Sequence, residues 1–186
     1  REMVRSDPAW RGGSYEPGRG PRLGRDLARK LGTITYRSPE EWQQRFGRRR
    51  VPETAGLSGD FRPVFEVEAY LEHQALRFAD TFDANSYLYL SRAMDRFDLA
   101  DHGGGSLAAA FARFGVKRSL VLGVDTDMLF PIGQQREIAE HLKAAGGSVE
   151  FHAFPSLQGH DAFLADPDRF EPAIGGFVAR IGAGRG

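Results

Sequence analysis

The sequence predicts an α/β fold, the last part of a doubly wound parallel sheet preceded by a helical insertion. An apolar run at 119–124 and an alternating run at 148–153 flank one helical pattern, and a second helical pattern follows them. The order strand, helix, strand, helix implies a parallel pair with a right-handed crossover. Parallel sheets usually contain more than two strands and are covered on both faces. We therefore expect the remaining strands to lie upstream of Arg1.

The residues before the first strand are predicted to be mainly helical. Residues 1–20 contain several Gly and Pro and are expected to be irregular. Apolar residues recur at helical spacing in three later segments, 22–31, 67–78 and 87–97. A further helix is predicted to begin at Ser38 and to end at Gly47, because Pro39 suits the first helical position and Glu41 completes a Ser-x-x-Glu capping box.

The last third of the chain carries the strand signals. A buried strand is predicted at 119–124, a helix at 134–145, a second strand at 148–153 and a last helix at 169–181. These assignments divide the chain into a helical region, 1–104, and a part of an α/β core, 105–186.

Composition excludes several classes of function. The 186 residues are 41% hydrophobic and 27% charged, as in ordinary globular proteins. Because 25 basic residues balance 25 acidic ones, the overall charge gives no sign of nucleic-acid binding. The chain has no cysteine for a disulfide or a thiolate metal site. It has no apolar run of the ~20 residues that cross a bilayer. We expect a cytoplasmic protein without a membrane or nucleic-acid partner.

Two candidate catalytic side chains follow the two predicted strands. Open α/β sheets place functional groups at the carboxyl ends of their strands. Asp127 follows the first strand and His160 follows the second. An acid and then a histidine at these places match the late part of the Ser-Asp-His order of α/β hydrolases, in which the carboxylate orients the imidazole. Aspartates after strands also serve as helix caps, and a Gly-His-Asp loop can be purely structural.

The sequence contains no evident nucleophile for such a triad. The Gly-x-Ser-x-Gly turn that presents the serine in this fold is absent from the chain. His102-Gly-Gly-Gly105 is similar to an oxyanion-hole motif, but it comes too late in the chain for that role. We interpret it as a flexible connection.

Several longer segments resemble one enzyme family. The most extensive is Phe82-Asp-Ala-Asn-Ser-Tyr-Leu-Tyr-Leu-Ser-Arg-Ala-Met-Asp-Arg-Phe-Asp98, which resembles a signature of the homoserine O-acyltransferase family. Thr126-Asp-Met-Leu-Phe-Pro131 and Gln158-Gly-His-Asp-Ala-Phe-Leu164 resemble its late motifs. Shorter matches occur in order at 7–10, 28–36, 45–48 and 67–71. The resemblance implies an α/β-hydrolase fold and acyl transfer from acyl-CoA to the hydroxyl of an amino acid.

The resemblance also implies a role for five residues. Asp127 corresponds to the triad acid, and His160 corresponds to the base. Asp161 corresponds to the carboxylate that binds the amino group of the substrate. Arg29 corresponds to the substrate-binding arginine, and Tyr36 corresponds to a tyrosine that lines the same pocket. The nucleophile elbow and the oxyanion hole of the family are missing from this sequence.

The family's architecture gives further expectations. Its lid, which corresponds to the helices between Arg22 and Asp98, covers the active-site tunnel and usually forms the contact of a homodimer. No bound cofactor and no metal are expected, because acyl-CoA is a co-substrate. Acetyl-CoA with L-homoserine is the default pair, and succinyl-CoA or L-serine is the alternative. An esterase of the same fold, or an inactive fragment that serves as a dimerisation module, remains a further alternative.

Overall fold

The computed structural model describes residues 1–52, 62–79 and 82–183. The chain divides into two compact units. The first unit comprises Arg1–Ile34 and Trp42–Phe97, and the second comprises Thr35–Glu41 and Asp98–Gly186. The short segment Thr35–Glu41 therefore belongs with the strands, although the sequence surrounds it with predicted helices.

Helices dominate the described part of the first unit, as the sequence predicts. In chain order the first helices are α1 (Glu2–Arg5), α2 (Arg22–Thr35), α3 (Pro39–Arg45), α4 (Glu66–Ala79) and α5 (Ala84–Arg96). Helix α3 begins where the capping box predicts, and Ser38 Oγ accepts a hydrogen bond from the Glu41 amide at 3.0 Å. Gly47, after its end, has a φ of +50°. Arg50 and Phe65 form an isolated antiparallel β-bridge.

The expectation of an irregular segment at 1–20 is wrong in part. Helix α1 and a 3₁₀ helix, Pro8–Gly13, lie within it. The Asp7 carboxylate orders this segment, because it accepts hydrogen bonds from the amides of Ala9 and Gly24, both at 2.9 Å. Gly24 allows a close approach of α2, since a Cβ atom there would lie 2.4 Å from a carbonyl oxygen of α1. Side-chain caps and tertiary packing thus override the local Gly and Pro content.

The second unit contains the predicted parallel pair. Its elements are α6 (Leu107–Arg113), β1 (Arg118–Val124), α7 (Ile132–Ala144), β2 (Ser148–Phe154), α8 (Ala162–Ala165) and α9 (Pro167–Ala183). The strands run parallel, with Arg118 opposite Ser148 and Val124 opposite Phe154. The strand-helix-strand-helix prediction is confirmed. At the carboxyl end of the pair, the Asp125 amide donates to the Phe154 carbonyl at 3.1 Å, so the loops that follow the two strands start side by side.

The interpretation of residues 102–105 as a flexible connection is wrong for its first part. A 3₁₀ helix spans Leu99–Gly103, and Gly104 ends it in the left-handed region with a φ of +66°. Gly103 packs so closely on α6 that an added Cβ atom would lie 2.5 Å from the Ala110 amide nitrogen. Glycine here permits close backbone packing.

A small apolar cluster lies beneath the carboxyl ends of the strands. Val124, Ala162 and Phe170 are buried in it, and Leu122 and Phe154 pack against them. This cluster joins β1, β2, α8 and α9, and it supports the loops that carry the candidate site. Within the described ranges, no helix is long and apolar enough to cross a membrane.

Candidate active site

Asp127 and His160 form a hydrogen-bonded pair in the turns that follow β1 and β2. Asp127 Oδ2 lies 3.0 Å from His160 Nδ1. The other oxygen, Oδ1, accepts hydrogen bonds from the amides of Leu129 and Phe130, both at 2.9 Å. Because an ionised carboxylate only accepts hydrogen bonds, Nδ1 must carry the proton of a neutral imidazole. The lone pair is then on Nε2, as a general base requires.

Three aromatic rings surround the imidazole of His160. Phe130 lies edge-on at a centroid distance of 4.8 Å, Tyr36 lies at 5.5 Å and Phe163 lies at 6.3 Å. The side chains of His160 and Asp127 are 21% and 10% exposed. The ring is therefore held by packing as well as by its hydrogen bond, and the Asp127 carboxylate is largely removed from water.

A left-handed glycine shapes the loop that carries His160. Gly159 has a φ of +60°. A Cβ atom at this position would lie 2.8 Å from the Tyr36 carbonyl oxygen and 2.9 Å from the Ser38 amide nitrogen. Both the dihedral angle and the lack of space require glycine. The loop therefore lies directly against the segment Thr35–Glu41.

Asp161 lies beside His160 but faces a different partner. Its Oδ2 atom forms an ion pair with Arg37 Nε at 3.3 Å. Its amide donates to the Tyr36 carbonyl oxygen at 3.4 Å. Asp161 is thus tied to Thr35–Glu41 through both its backbone and its side chain.

A cavity of about 420 Å³ opens beside the pair of catalytic candidates. Asp127, His160, Phe130 and Phe163 line it, together with Gln135 of α7 and residues of β1 and α9. A mostly apolar lining with a few polar groups is the usual form of a small-molecule site.

The structure brings together four of the five site residues that were predicted from the sequence. Asp127, His160, Asp161 and Tyr36 belong to the second unit and lie within one network of contacts. Arg29 belongs to the first unit, on α2, where its guanidinium lies 4.9 Å from the centroid of the Phe78 ring. The roles of all five in binding or catalysis remain predictions.

Arg37, which no pattern in the sequence singles out, also belongs to this network. Its sequence signal is weak, because an arginine at a helix start is usually exposed. In the structure Arg37 Nη1 donates to Gln158 Oε1 at 2.9 Å, in the loop that carries His160. In the part of the chain that the structure describes, no cluster of three or more His, Asp or Glu residues is arranged to hold a metal ion.

Two curated enzymes illustrate the relatives of this chain. A serine O-succinyltransferase from Litchfieldella anticariensis is 55% identical over 179 residues, which are 96% of this chain and 49% of the relative. An L-serine/homoserine O-acetyltransferase from Streptomyces lavendulae is 54% identical over 184 residues, which are 97% of this chain and 49% of the relative. No protein-family profile matches the chain. The chain spans about half the length of the curated relatives that it matches.

Solved structures agree with the fold. The homoserine O-acetyltransferase from Bacillus anthracis superimposes with a TM-score of 0.80 at 24% identity, over 95% of this chain and 46% of that chain. Esterase E22 superimposes with a TM-score of 0.78 at 23% identity, over 95% of this chain and 47% of that chain. At these identities the likeness shows the fold. The fold is that of a carboxyl-terminal part of the α/β-hydrolase fold, and over nearly its whole length the chain is similar in sequence to serine and homoserine O-acyltransferases.

Proposed function

We propose that this chain supplies the acid–base part of an acyl transfer from acyl-CoA to the hydroxyl of L-serine or L-homoserine. The observation that carries the proposal is the Asp127–His160 pair, whose Oδ2 and Nδ1 atoms are 3.0 Å apart beside a cavity. A carboxylate that fixes Nδ1 leaves Nε2 to accept and return a proton.

The same base serves both halves of the proposed reaction. In the first half, Nε2 accepts the proton of a nucleophilic serine as its oxygen attacks the thioester carbonyl, and the proton then passes to the departing CoA sulfur. In the second half, Nε2 accepts the proton of the amino-acid hydroxyl as that oxygen attacks the acyl-serine. The proton then returns to the serine. The nucleophile is expected from a segment outside these 186 residues, because the sequence contains no Gly-x-Ser-x-Gly turn.

The two related enzymes bear on the choice of substrate. Both act on serine by name, and one of them is named for succinyl transfer. We therefore prefer L-serine to the L-homoserine expected from sequence resemblance, and we treat succinyl-CoA as a donor equal to acetyl-CoA. In this proposal Asp161 binds the substrate ammonium, Arg29 binds its carboxylate and Tyr36 lines the pocket. A zwitterionic substrate requires such pairing, because unpaired buried charges are costly.

The assignment of residues 1–104 as a lid region that forms a homodimer also remains part of the proposal. Its support is the apolar face of α2, where Leu23, Leu27 and Leu31 are 66%, 42% and 52% exposed. Contiguous exposed apolar surface of this kind usually marks a contact. Light scattering of the purified protein, with and without Leu27→Asp, tests the dimer: the dimer mass should be lost in the variant.

Acyl transfer is best tested with a matrix of donors and acceptors. The protein, expressed from its complete reading frame, is incubated with acetyl-CoA or succinyl-CoA and with L-serine, L-homoserine or no acceptor. CoA release and the O-acyl product are then measured by thiol titration and mass spectrometry. We expect an acceptor-dependent O-acyl product that is abolished in His160→Ala. CoA release that is equal without an acceptor would favour an esterase, and no release with any donor would refute the proposed function.

A further inference from the structure

The guanidinium of Arg37 contacts three side-chain acceptors, two in the loop that carries His160 and one on α3. It donates from Nη1 to Gln158 Oε1 at 2.9 Å, and its Nε atom lies 3.3 Å from Asp161 Oδ2. It also contacts Glu41 Oε1 at 3.4 Å. The Arg37 side chain is 16% exposed, so these contacts are made largely out of water. Charge-assisted contacts of a planar guanidinium fix geometry as well as charge.

The segment that carries Arg37 is itself fixed to the same loop. Ser38 is fully buried, and its hydroxyl donates to the Leu157 carbonyl oxygen at 2.6 Å. The Asp161 amide donates to the Tyr36 carbonyl, and Gly159 packs against the backbone between these contacts. Arg37 therefore starts from a rigid backbone, and its guanidinium can impose an orientation on Asp161.

The contacts of Arg37 reach two carboxylates, those of Asp161 and Glu41, whose side chains are 27% and 10% exposed. Both carboxylates are therefore partly or largely buried. A carboxylate in such a place attracts a small cation, such as the ammonium group of an amino acid.

We propose that Arg37 is a positioning residue for the acceptor amino acid. It holds Oδ2 of Asp161 and thereby orients the carboxylate to receive the substrate ammonium. It acts through Asp161 and touches neither the acyl group nor the reacting hydroxyl. This inference rests on the proposed acyl transfer, and it adds a residue that controls acceptor binding separately from the chemistry of acylation.

The test measures the two half-reactions separately in the protein expressed from its complete reading frame. Acyl-enzyme formation is followed by rapid mixing with acyl-CoA, and transfer is followed by the KM for the acceptor. Because Arg37 acts only in acceptor binding, we expect Arg37→Met to raise that KM by about 10–100-fold, with an unchanged rate of acyl-enzyme formation. Arg37→Lys should recover part of the loss. Arg180→Met, which removes an exposed arginine that pairs with Glu150 in the same unit, should change neither quantity.

A double-mutant cycle with Asp161→Asn tests whether Arg37 acts through Asp161. The double variant should have the KM of Asp161→Asn alone, because the two side chains form one unit. Three results would overturn the inference while leaving acyl transfer intact. They are additive effects of the two substitutions on the acceptor KM, an unchanged KM in Arg37→Met, and an equal fall in the rates of both half-reactions. A wild-type protein that acylates no acceptor would instead refute the proposed function, and the inference with it.

Discussion

Replacing Asp127 with Asn tests how the carboxylate controls His160. In the structure Oδ1 accepts two amide hydrogens, those of Leu129 and Phe130, and Oδ2 faces His160 Nδ1. The Asn side chain has one oxygen and one NH₂ group. If the NH₂ group faced the two amides, two hydrogen bonds would be lost and donors would face donors. The oxygen should therefore stay on the amides, and the NH₂ group should face Nδ1.

This arrangement reverses the tautomer of the imidazole. Losing the two amide bonds would cost about 1–3 kcal/mol, which favours the orientation with NH₂ towards the ring. Nδ1 must then accept, and the proton moves to Nε2, where the base is needed. The corresponding change in a serine-protease triad lowers kcat by about 10⁴-fold. That factor corresponds to about 5 kcal/mol of transition-state stabilisation.

The assay is single-turnover acylation by acyl-CoA, together with steady-state transfer to the acceptor. We expect both rates of Asp127→Asn to fall by about 10⁴-fold, with an unchanged KM for the acceptor. Asp125→Asn is the matched control, because Asp125 is exposed and lies two positions away. Near-normal rates in Asp127→Asn, or an equal loss in the control, would contradict this role of Asp127.

Three further changes test the stability of the molecule. Gly146→Ala, where the added Cβ atom has open space, should destabilise the protein by about 1–2 kcal/mol, the cost of a positive φ. Gly159→Ala should cost more, because its Cβ atom would also lie 2.8 Å from a backbone oxygen. Ser38→Ala should lower the free energy of unfolding, measured in urea, by about 2–4 kcal/mol, because it removes the helix cap and the hydrogen bond to the Leu157 carbonyl. A loss below about 1 kcal/mol would show that these two hydrogen bonds contribute little. The hydrogen bond from Tyr15, the largest cause, lowers the pKa of Asp83 below 3.8. Tyr15→Phe should therefore destabilise the protein most at pH values above the pKa of Asp83 in the unfolded chain. The destabilisation should disappear as the pH falls through the lower pKa of Asp83 in the folded protein. A pH-independent difference would contradict that cause.

The strands and the closeness of Asp127 to His160 could be predicted because they depend on local patterns and one rule of topology. The apolar run before Asp127 and the alternating run before His160 indicate two strands, and a crossover helix makes them parallel. Parallel neighbours end at the same edge of a sheet, so the residues that follow them meet. The 3.0 Å separation of the two side chains bears out this expectation of proximity.

Arg37 and α6 could not be predicted, because long-range contacts decide their structure. The partner of Arg37 in the histidine loop, Gln158, is 121 positions away in the sequence. Helix α6 has only 7 residues, too few for a clear apolar period. It begins at Ser106, whose Oγ accepts from the Ala109 amide, and it is packed on the backbone at Gly103. Such contacts exist only once the chain has folded.

Rapid-mixing kinetics of His160→Ala test whether His160 is the base of both half-reactions. His152→Ala, an exposed histidine on β2, serves as the control. Acyl-enzyme formation and transfer to the amino acid should fall together by at least about 10³-fold in His160→Ala and should be unchanged in His152→Ala. Acyl-enzyme formation at the wild-type rate in His160→Ala would contradict this role of His160.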